Sequence, residues 1–475
     1  MNSFNRTKIV ATMGPATEDI AVLEDMMNNG LDICRINFSH GDYEVVKKTV
    51  SNIRELNKKL NRHVGILGDL QGPKLRIGVI KDKSVNLENG KEIVITTREC
   101  EGDADRVYIT YPNFPQDVKN GELVLIDDGK IHLKVNDTNG KDEVRCTIIS
   151  GGPLSSKKGV NLPNTKISLP CLTVKDIRDL EFALEHDFDW IALSFVRSVT
   201  DVVELKDIIK NKGKRAKVIA KIEKPEAIRE IDNIIDVTDG IMVARGDLGV
   251  ELPMEQVPLL QKMIVEKCVA YSKPVIIATQ MMESMITSFT PTRAEVNDVA
   301  NAVMDGADAV MLSAETSVGK YPVKVIEIMR RIIKQVEQLD SIYYREHAPQ
   351  LKTITYITDS ICFNACTLCH QADAKAIISM TNSGYTAFKL SSHRPKAHIF
   401  IFTDNLHLLT TLSLVWGVRG YYYNKYESTD ETINDLKDFI KNQGFVKVDD
   451  LVVNIASMPM KERGRTNMMK LSYIQ

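Results

Sequence analysis

The chain has 475 residues, long enough for about three domains. Its 61 basic and 63 acidic residues leave a net charge of −2, which removes any general electrostatic case for nucleic acid. No apolar run reaches a membrane span, the N-terminus does not read as a signal peptide, and eight scattered cysteines do not resemble a secreted disulfide framework, so a cytoplasmic protein is expected.

In chain order, eight short apolar runs each end abruptly in polar residues. They begin near 9, 33, 64, 190, 217, 241, 275 and 309. The first runs into Thr12-Met13-Gly14-Pro15, the second into Arg35-Ile36-Asn37-Phe38-Ser39-His40, and the third into Asp69-Leu70-Gln71-Gly72. The fourth ends in Ser194-Phe195-Val196-Arg197, the fifth in Lys221-Ile222-Glu223, and the sixth in Arg245-Gly246-Asp247. The last two end in Thr279-Gln280 and Ser313-Ala314-Glu315. Nearly continuous apolar runs separated by helix-length segments mark parallel strands covered on both faces. Six of the seven steps fit one strand–helix unit, which predicts a TIM (β/α)8 barrel over 1–72 and 171–340, with its chemistry at the C-terminal ends of the strands.

The 126-residue step between the third and fourth runs holds one helix, about Thr173 to His186, and an insert over 73–170. Strands are expected in the insert at 92–97, 106–111, 122–127, 130–135 and 143–150, with Asn-Gly and Asp-Gly hairpin turns between several of them. This reads as a small β-barrel lid tethered at the catalytic face. From 341 to 475, strand-like runs at 376–380, 398–403, 418–423, 451–456 and 468–474 alternate with helices until the last, an open α/β sheet. Cys362, Cys366 and Cys369 share one face of a helix, which favours packing over a thiol-based metal or redox site.

A buried strand ending in charge is costly unless the charges meet a partner, a metal or a substrate. Glu223 and Asp247 are hard oxygen ligands suited to Mg²⁺, and Lys221 is a point cation suited to a phosphoryl group in transfer. A structural Lys–Glu–Asp ion network is the alternative. The loop Thr381-Asn382-Ser383-Gly384-Tyr385-Thr386, between a strand and a helix, offers hydroxyls and N–H groups as a phosphate nest, or is a plain connection.

Together and in order, the motifs closely resemble the pyruvate kinase family over essentially the whole length. They are TKIVATMGPAT from Thr7, CRINFSHG from Cys34, GDLQGPKLRIG from Gly68, SKKGVNLP from Ser156, LSFVR from Leu193 and AKIEKPEAI from Ala220. Further on stand MVARGDLGVE from Met242, IATQMMESM from Ile277, the long run PTRAEVNDVANAVMDGADAVMLSAETSVGKYP from Pro291, and SGYTAFKLSSHRP from Ser383. The resemblance implies phosphoryl transfer from phosphoenolpyruvate to ADP, giving pyruvate and ATP in glycolysis, with Mg²⁺ (or Mn²⁺ in its place) and a homotetramer. By position it makes Glu223 and Asp247 the metal carboxylates, Lys221 the lysine on the transferring phosphoryl group, and Arg35 the phosphate-binding arginine. Gly246, Asp247 and Thr279 hold the substrate carboxylate. Thr279, Ser313 and Glu315 face the enolate side, with protonation through a water relay. Asn37, His40, Arg76 and Lys158 are nucleotide-side contacts, Lys158 arriving with the lid. Relatives that require K⁺ carry a Thr-Lys pair and a glutamate where this chain has Leu70-Gln71 and Lys74. The chain therefore resembles the K⁺-independent branch, although Asn37, Ser39 and Asp69, the usual K⁺ ligands, remain. A solvated hinge lysine is the alternative for Lys74. The family also places an effector phosphate, of a sugar phosphate or nucleotide, at Thr381, Asn382, Ser383, Gly384 and Thr386. Two rival functions stand beside this: another Mg²⁺-dependent barrel enzyme on phosphoenolpyruvate or a 2-oxo acid, and an inactive scaffold homologue.

Overall fold

The computed structural model describes residues 4–39, 41–345, 347–350, 353–425, 428–458 and 464–475. His40 and residues 459–463 of the far C-terminal loop therefore lie outside the described residues. Among those described, eight parallel strands close a barrel in strict chain order: Lys8–Thr12, Ile33–Asn37, Gly65–Asp69, Trp190–Leu193, Lys217–Ile222, Gly240–Ala244, Val275–Ala278 and Ala309–Leu312. Their residues are almost all buried, as strands between a packed interior and a ring of helices must be.

The interior is a packed core. Val10, Ile33, Leu67, Ala192, Ile219, Met242, Ile276 and Met311 fill it with Trp190. Leu414, from the third domain, belongs to the same cluster and closes its floor. Around it the helices carry ordinary start and stop signals. Thr173 and Asp176 form a capping box on the helix Val174–Glu185, and Thr292 and Glu295 do the same for Arg293–Asp305, which stops at the left-handed Gly306.

The insert leaves the barrel at Gly72. This residue has φ +69, and a Cβ there would fall 2.7 Å from the Phe195 ring, so glycine is required on both counts. Its N–H donates to Asp176 at 3.0 Å, which ties the crossing to a barrel helix. The insert is a curled six-stranded sheet and a two-stranded one around a shared apolar core. The expected strand over 106–111 stops at Tyr108, and Ser84–Leu87, Gly152–Ser155 and Val160–Asn161 are strands the sequence pattern did not mark. Those three are two to four residues long, and Gly152-Pro153 reads as a turn. The proline is tolerated because its sheet has only two edges.

The third domain is a five-stranded sheet of which only the last strand, Met468–Tyr473, is antiparallel. Cys362, Cys366 and Cys369 are buried in its core on the helix Tyr356–Gln371, and burial pushes the Cys369 thiol up to about 12. This is the packing role, since an inert thiol is a protonated one. The domain is bolted to the barrel floor by Arg394, whose guanidinium meets Asp308 at 2.9 Å and the Gly306 carbonyl at 2.8 Å.

Candidate active site

Side chains alternate along a strand, so each interior apolar series continues two residues further on the same face. At the C-terminal mouth that step delivers a polar group nearly every time: Val10 leads to Thr12, Ile33 to Arg35, Leu67 to Asp69, Ala192 to Ser194, Ile219 to Lys221, and Met311 to Ser313. The parallel register sets Thr12 beside Arg35 and Asn37 beside Asp69. Period and register together draw these side chains from separate strands into one cluster.

Lys221 is its centre. The ammonium is 2.8 Å from Glu223 Oε1 and 3.2 Å from Asp69 Oδ1, and donates to Ser194 Oγ at 2.7 Å. Burial works against its charge, but the Asp69 and Glu223 carboxylates outweigh burial and hold the lysine above its ordinary value. Asp69 is also buried, and Lys221 with Arg35 overcomes that to hold it below the usual carboxylate range. Arg35 donates to Asp69 Oδ2 at 2.7 Å and to Thr12 Oγ1 at 2.8 Å. Glu223 is pushed up by burial despite Lys221, and the charge of Asp247 pushes it further. Its second oxygen accepts the Phe195 N–H at 2.8 Å.

The Glu223–Asp247 pair is therefore a repelling pair of carboxylates in a confined place, the environment a divalent cation relieves. Among the described residues no group of three or more His, Cys, Asp or Glu side chains is placed to hold a metal. Mg²⁺ needs no such group, since it is bound through one or two carboxylates and completes its shell with water and substrate oxygens.

Thr279 and Gln280 have φ +70 and +55, a left-handed conformation that a β-branched threonine adopts only under constraint. Several contacts impose it. The Gly246 N–H donates to Thr279 Oγ1 at 2.8 Å, and that hydroxyl donates to the Ala278 carbonyl at 2.6 Å. Arg245 donates to the Thr279 carbonyl at 2.7 Å while anchored on Asp298 at 2.6 Å. Glu315 is buried and accepts backbone N–H groups from Ser313 at 2.6 Å and Met282 at 3.2 Å, which braces the adjoining loop.

The nucleotide-side residues are assembled in part. Arg76 and Lys158 are neighbours in the lid, where Arg76 bridges Gly159 and donates to the Lys157 carbonyl at 3.0 Å. Lys158 is paired with Asp127 at 2.8 Å. Asn37 accepts the Ser39 N–H at 3.1 Å, and Leu70 is buried with its carbonyl accepting from Ser194. Lys74 is exposed, and its Cε lies 3.7 Å from where a Cβ on Gly159 would stand, so its side chain reaches Gly159 of the lid. The lid also rests on the barrel: Asn161 donates to Glu251 Oε1 at 2.8 Å, and the same oxygen pairs with the buried Lys224 at 2.6 Å. A cleft of about 750 Å³ follows, lined by Gly246, Asp247 and Gln280 on the barrel and Asp128 on the lid.

Three parts of this machinery have no role in the sequence analysis: Ser194, Arg245 and the Lys224–Glu251 pair. Ser194 is legible from its place one period beyond Ala192. Arg245 directly follows a strand end, Lys224 lies two residues past one and Glu251 ends the next helix, and their partners are visible only in three dimensions.

In the third domain, Thr381, Asn382, Ser383 and Thr386 line a separate cavity of about 640 Å³ with Arg215 and Arg465. Gly384 has φ +83 and donates to Thr381 Oγ1 at 3.1 Å. Tyr385 lines it too, and its hydroxyl donates to Asp359 at 2.7 Å.

Comparison with known proteins agrees with this architecture. The sequence model described as "Pyruvate kinase, barrel domain" matches residues 4–326, and "Pyruvate kinase, alpha/beta domain" matches 359–472. The chain is 42% identical over 473 residues to a pyruvate kinase of Geobacillus stearothermophilus, covering 99% of this chain and 80% of that protein. It is 43% identical over 470 residues to one of Mycobacterium tuberculosis, covering 99% and 98%. The crystal structure of a pyruvate kinase from Cryptosporidium parvum superposes with a TM-score of 0.93 at 35% identity, covering 99% of this chain and 96% of that one.

Proposed function

The chain belongs to the pyruvate kinase family, and from that premise we propose that it transfers the phosphoryl group of phosphoenolpyruvate to ADP, giving pyruvate and ATP in glycolysis. The observation that carries the reading is the Lys221 ammonium at the barrel mouth, held charged between Asp69 and Glu223 beside Asp247. Phosphoryl transfer asks the protein for positioning and for fixed positive charge, and a buried, pre-oriented ammonium supplies both without reorganisation.

In this reading Lys221 and Arg35 bind the phosphoryl oxygens. The substrate carboxylate lies at Gly246, Asp247 and Thr279, beside the constrained left-handed turn. Glu223 and Asp247 hold Mg²⁺ or Mn²⁺, which when bound supplies Lewis-acid charge to substrate oxygens. Asn37, His40, Arg76 and Lys158 take the nucleotide, and closure of the lid carries Lys158, with its partner Asp127, towards it. Thr279, Ser313 and Glu315 lie on the side from which the enolate carbon gains its proton through water.

K⁺ is not required. The reading rests on Leu70-Gln71 and Lys74, which stand where K⁺-requiring relatives carry a Thr-Lys pair and a glutamate. The protein works as a cytoplasmic homotetramer with the catalytic barrel over 1–72 and 171–340, the lid over 73–170 and a regulatory domain over 341–475. A phosphorylated effector, a sugar phosphate or a nucleotide, binds at Thr381, Asn382, Ser383, Gly384 and Thr386. The test is pyruvate formation from phosphoenolpyruvate by the full chain, with and without ADP. ADP-dependent pyruvate with stoichiometric ATP is expected; pyruvate formed without ADP, or none at all, overturns the assignment.

A further inference from the structure

At the opposite end of the barrel from Lys221 lies a cavity of about 630 Å³. It opens between the C-terminal ends of three barrel helices, Tyr43–Leu60, Val174–Glu185 and Val199–Asn211, and residues Leu406, His407 and Thr410 of the third domain. Its volume is that of a small-metabolite site. Leu184 and Phe188, both fully packed, supply an apolar wall, and Leu406 presents a mostly exposed apolar side chain at the third-domain edge.

The charges around it do not balance. Arg54, Lys58, Arg62, Lys214 and Arg215 converge there. Arg54 and Lys214 are already engaged, with the Asp187 carbonyl at 2.8 Å and the Asp187 carboxylate at 3.0 Å respectively, and Arg54 lies 3.6 Å from Asp189. Among the described residues, Lys58, Arg62 and Arg215 have no carboxylate within 4.0 Å. Arg62 is half-buried near like charges, and burial, with Arg419 and Arg330, outweighs Asp32 and lowers its affinity for its proton. The negative ends of three helix dipoles offset about half a charge each. After the two carboxylates and those helix ends are counted, an excess on the order of one to two positive charges is left. The His407 ring holds Nδ1 3.4 Å from Asp189, and its Nε2 has no hydrogen-bond partner among the described residues.

We propose that this cavity binds a small phosphomonoester. A phosphate monoester carries about −1.5 to −2 charges at neutral pH, which matches the unbalanced charge, and its remaining atoms fit against Leu184, Phe188 and Leu406. Because Lys58 and Arg62 belong to the barrel while His407 belongs to the third domain, an occupant fastens the two together. The site is distinct from the Thr381–Thr386 cavity, although Arg215 lines both, and it does not depend on the reaction assigned above.

The experiment is calorimetric titration of the full-length protein with three probes: inorganic phosphate, ribose 5-phosphate and adenosine monophosphate. It is run in parallel on Lys58→Glu, an exposed substitution outside the catalytic machinery, and on Ser383→Ala. At least one monoester should bind with a Kd below about 1 mM. Lys58→Glu should weaken it about tenfold or more, as reversal of a charge-assisted contact does, and Ser383→Ala should leave it within about twofold. Tighter binding of adenosine monophosphate would identify a nucleotide ligand, and of ribose 5-phosphate a sugar phosphate. Inorganic phosphate should bind more weakly than either. The bound monoester should also raise the melting temperature of wild type more than that of Lys58→Glu. No binding by any probe up to about 10 mM, or binding lost in Ser383→Ala and intact in Lys58→Glu, overturns the proposal.

Discussion

Lys221 Nζ and Glu223 Oε1, two residues apart on one strand and its end, face the same way and meet at 2.8 Å. The carboxylate that meets the repelling charge of Asp247 is therefore also one of the two, with Asp69, that keep the lysine charged. In the proposed reading, with Glu223 on the metal and Lys221 on the phosphoryl group, that contact would couple the two binding events.

Removing the ammonium should expose its role directly. Lys221→Met should lower kcat about 10²–10³-fold while KM for phosphoenolpyruvate moves much less, because the contact strengthens as charge builds on the transferring oxygens. Steady-state kinetics at saturating Mg²⁺ read this out. A variant that keeps more than about a tenth of wild-type turnover removes Lys221 from the chemistry.

The two carboxylates should differ in what their loss does. Glu223→Gln and Asp247→Asn should both raise the Mg²⁺ concentration needed for half activity, since each removes a negative ligand. Glu223→Gln should also cost stability, on the order of 3 kcal/mol, because it strips a partner from a buried ammonium. Asp247, which is less buried, should cost less. Activity titrated against Mg²⁺ and urea midpoints of both variants supply the comparison, and an unchanged Mg²⁺ requirement in both leaves only an ion network.

Lys74 governs the monovalent-cation prediction. Wild type should be nearly fully active with only large organic cations present. Lys74→Glu should lose activity there and regain part of it on addition of K⁺, since Asn37, Ser39 and Asp69 remain as oxygen ligands. Rates against KCl at constant ionic strength separate a site from screening. A wild type that is nearly inactive without K⁺ contradicts the prediction.

How much of this was legible in the sequence differs by region. The barrel was legible because a strand buried on both faces is an unbroken apolar run, and its polar end is a visible step. Lys221, Glu223 and Asp69 fall on those steps. The lid was harder, since Ser84–Leu87 and Val160–Asn161 are too short to show a period. The Arg245 clamp on Thr279 and the Asn161–Glu251–Lys224 contact join residues far apart in sequence, and nothing local marks such pairs.

His393 should make the protein acid-sensitive. It is buried, neither ring nitrogen has a hydrogen-bond partner among the described residues, and burial, helped by Lys389 and His347, pushes the imidazole down to about 3. In the unfolded chain the ring takes a proton near its ordinary value of about 6.5, whereas in the folded protein it does not. The unfolded state therefore binds more protons between those values, and stability falls as pH drops through that range by up to about 1.4 kcal/mol per pH unit. His393→Leu should flatten the dependence of the urea midpoint on pH between 6.5 and 5 by roughly one histidine's share. Identical slopes in the two proteins would show that His393 is not a source of the sensitivity.

Leu414 closes the floor of a barrel whose last strand ends at Leu312. During synthesis the eight strands thus emerge well before the residue that completes their interior, and the growing chain carries an open apolar well until the third domain follows. A truncation after about residue 340 should leave that well exposed and the product prone to associate. The same constraint makes the third domain a poor candidate for exchange between relatives, because whichever domain replaced it would have to present a matching side chain to Trp190 and Leu67.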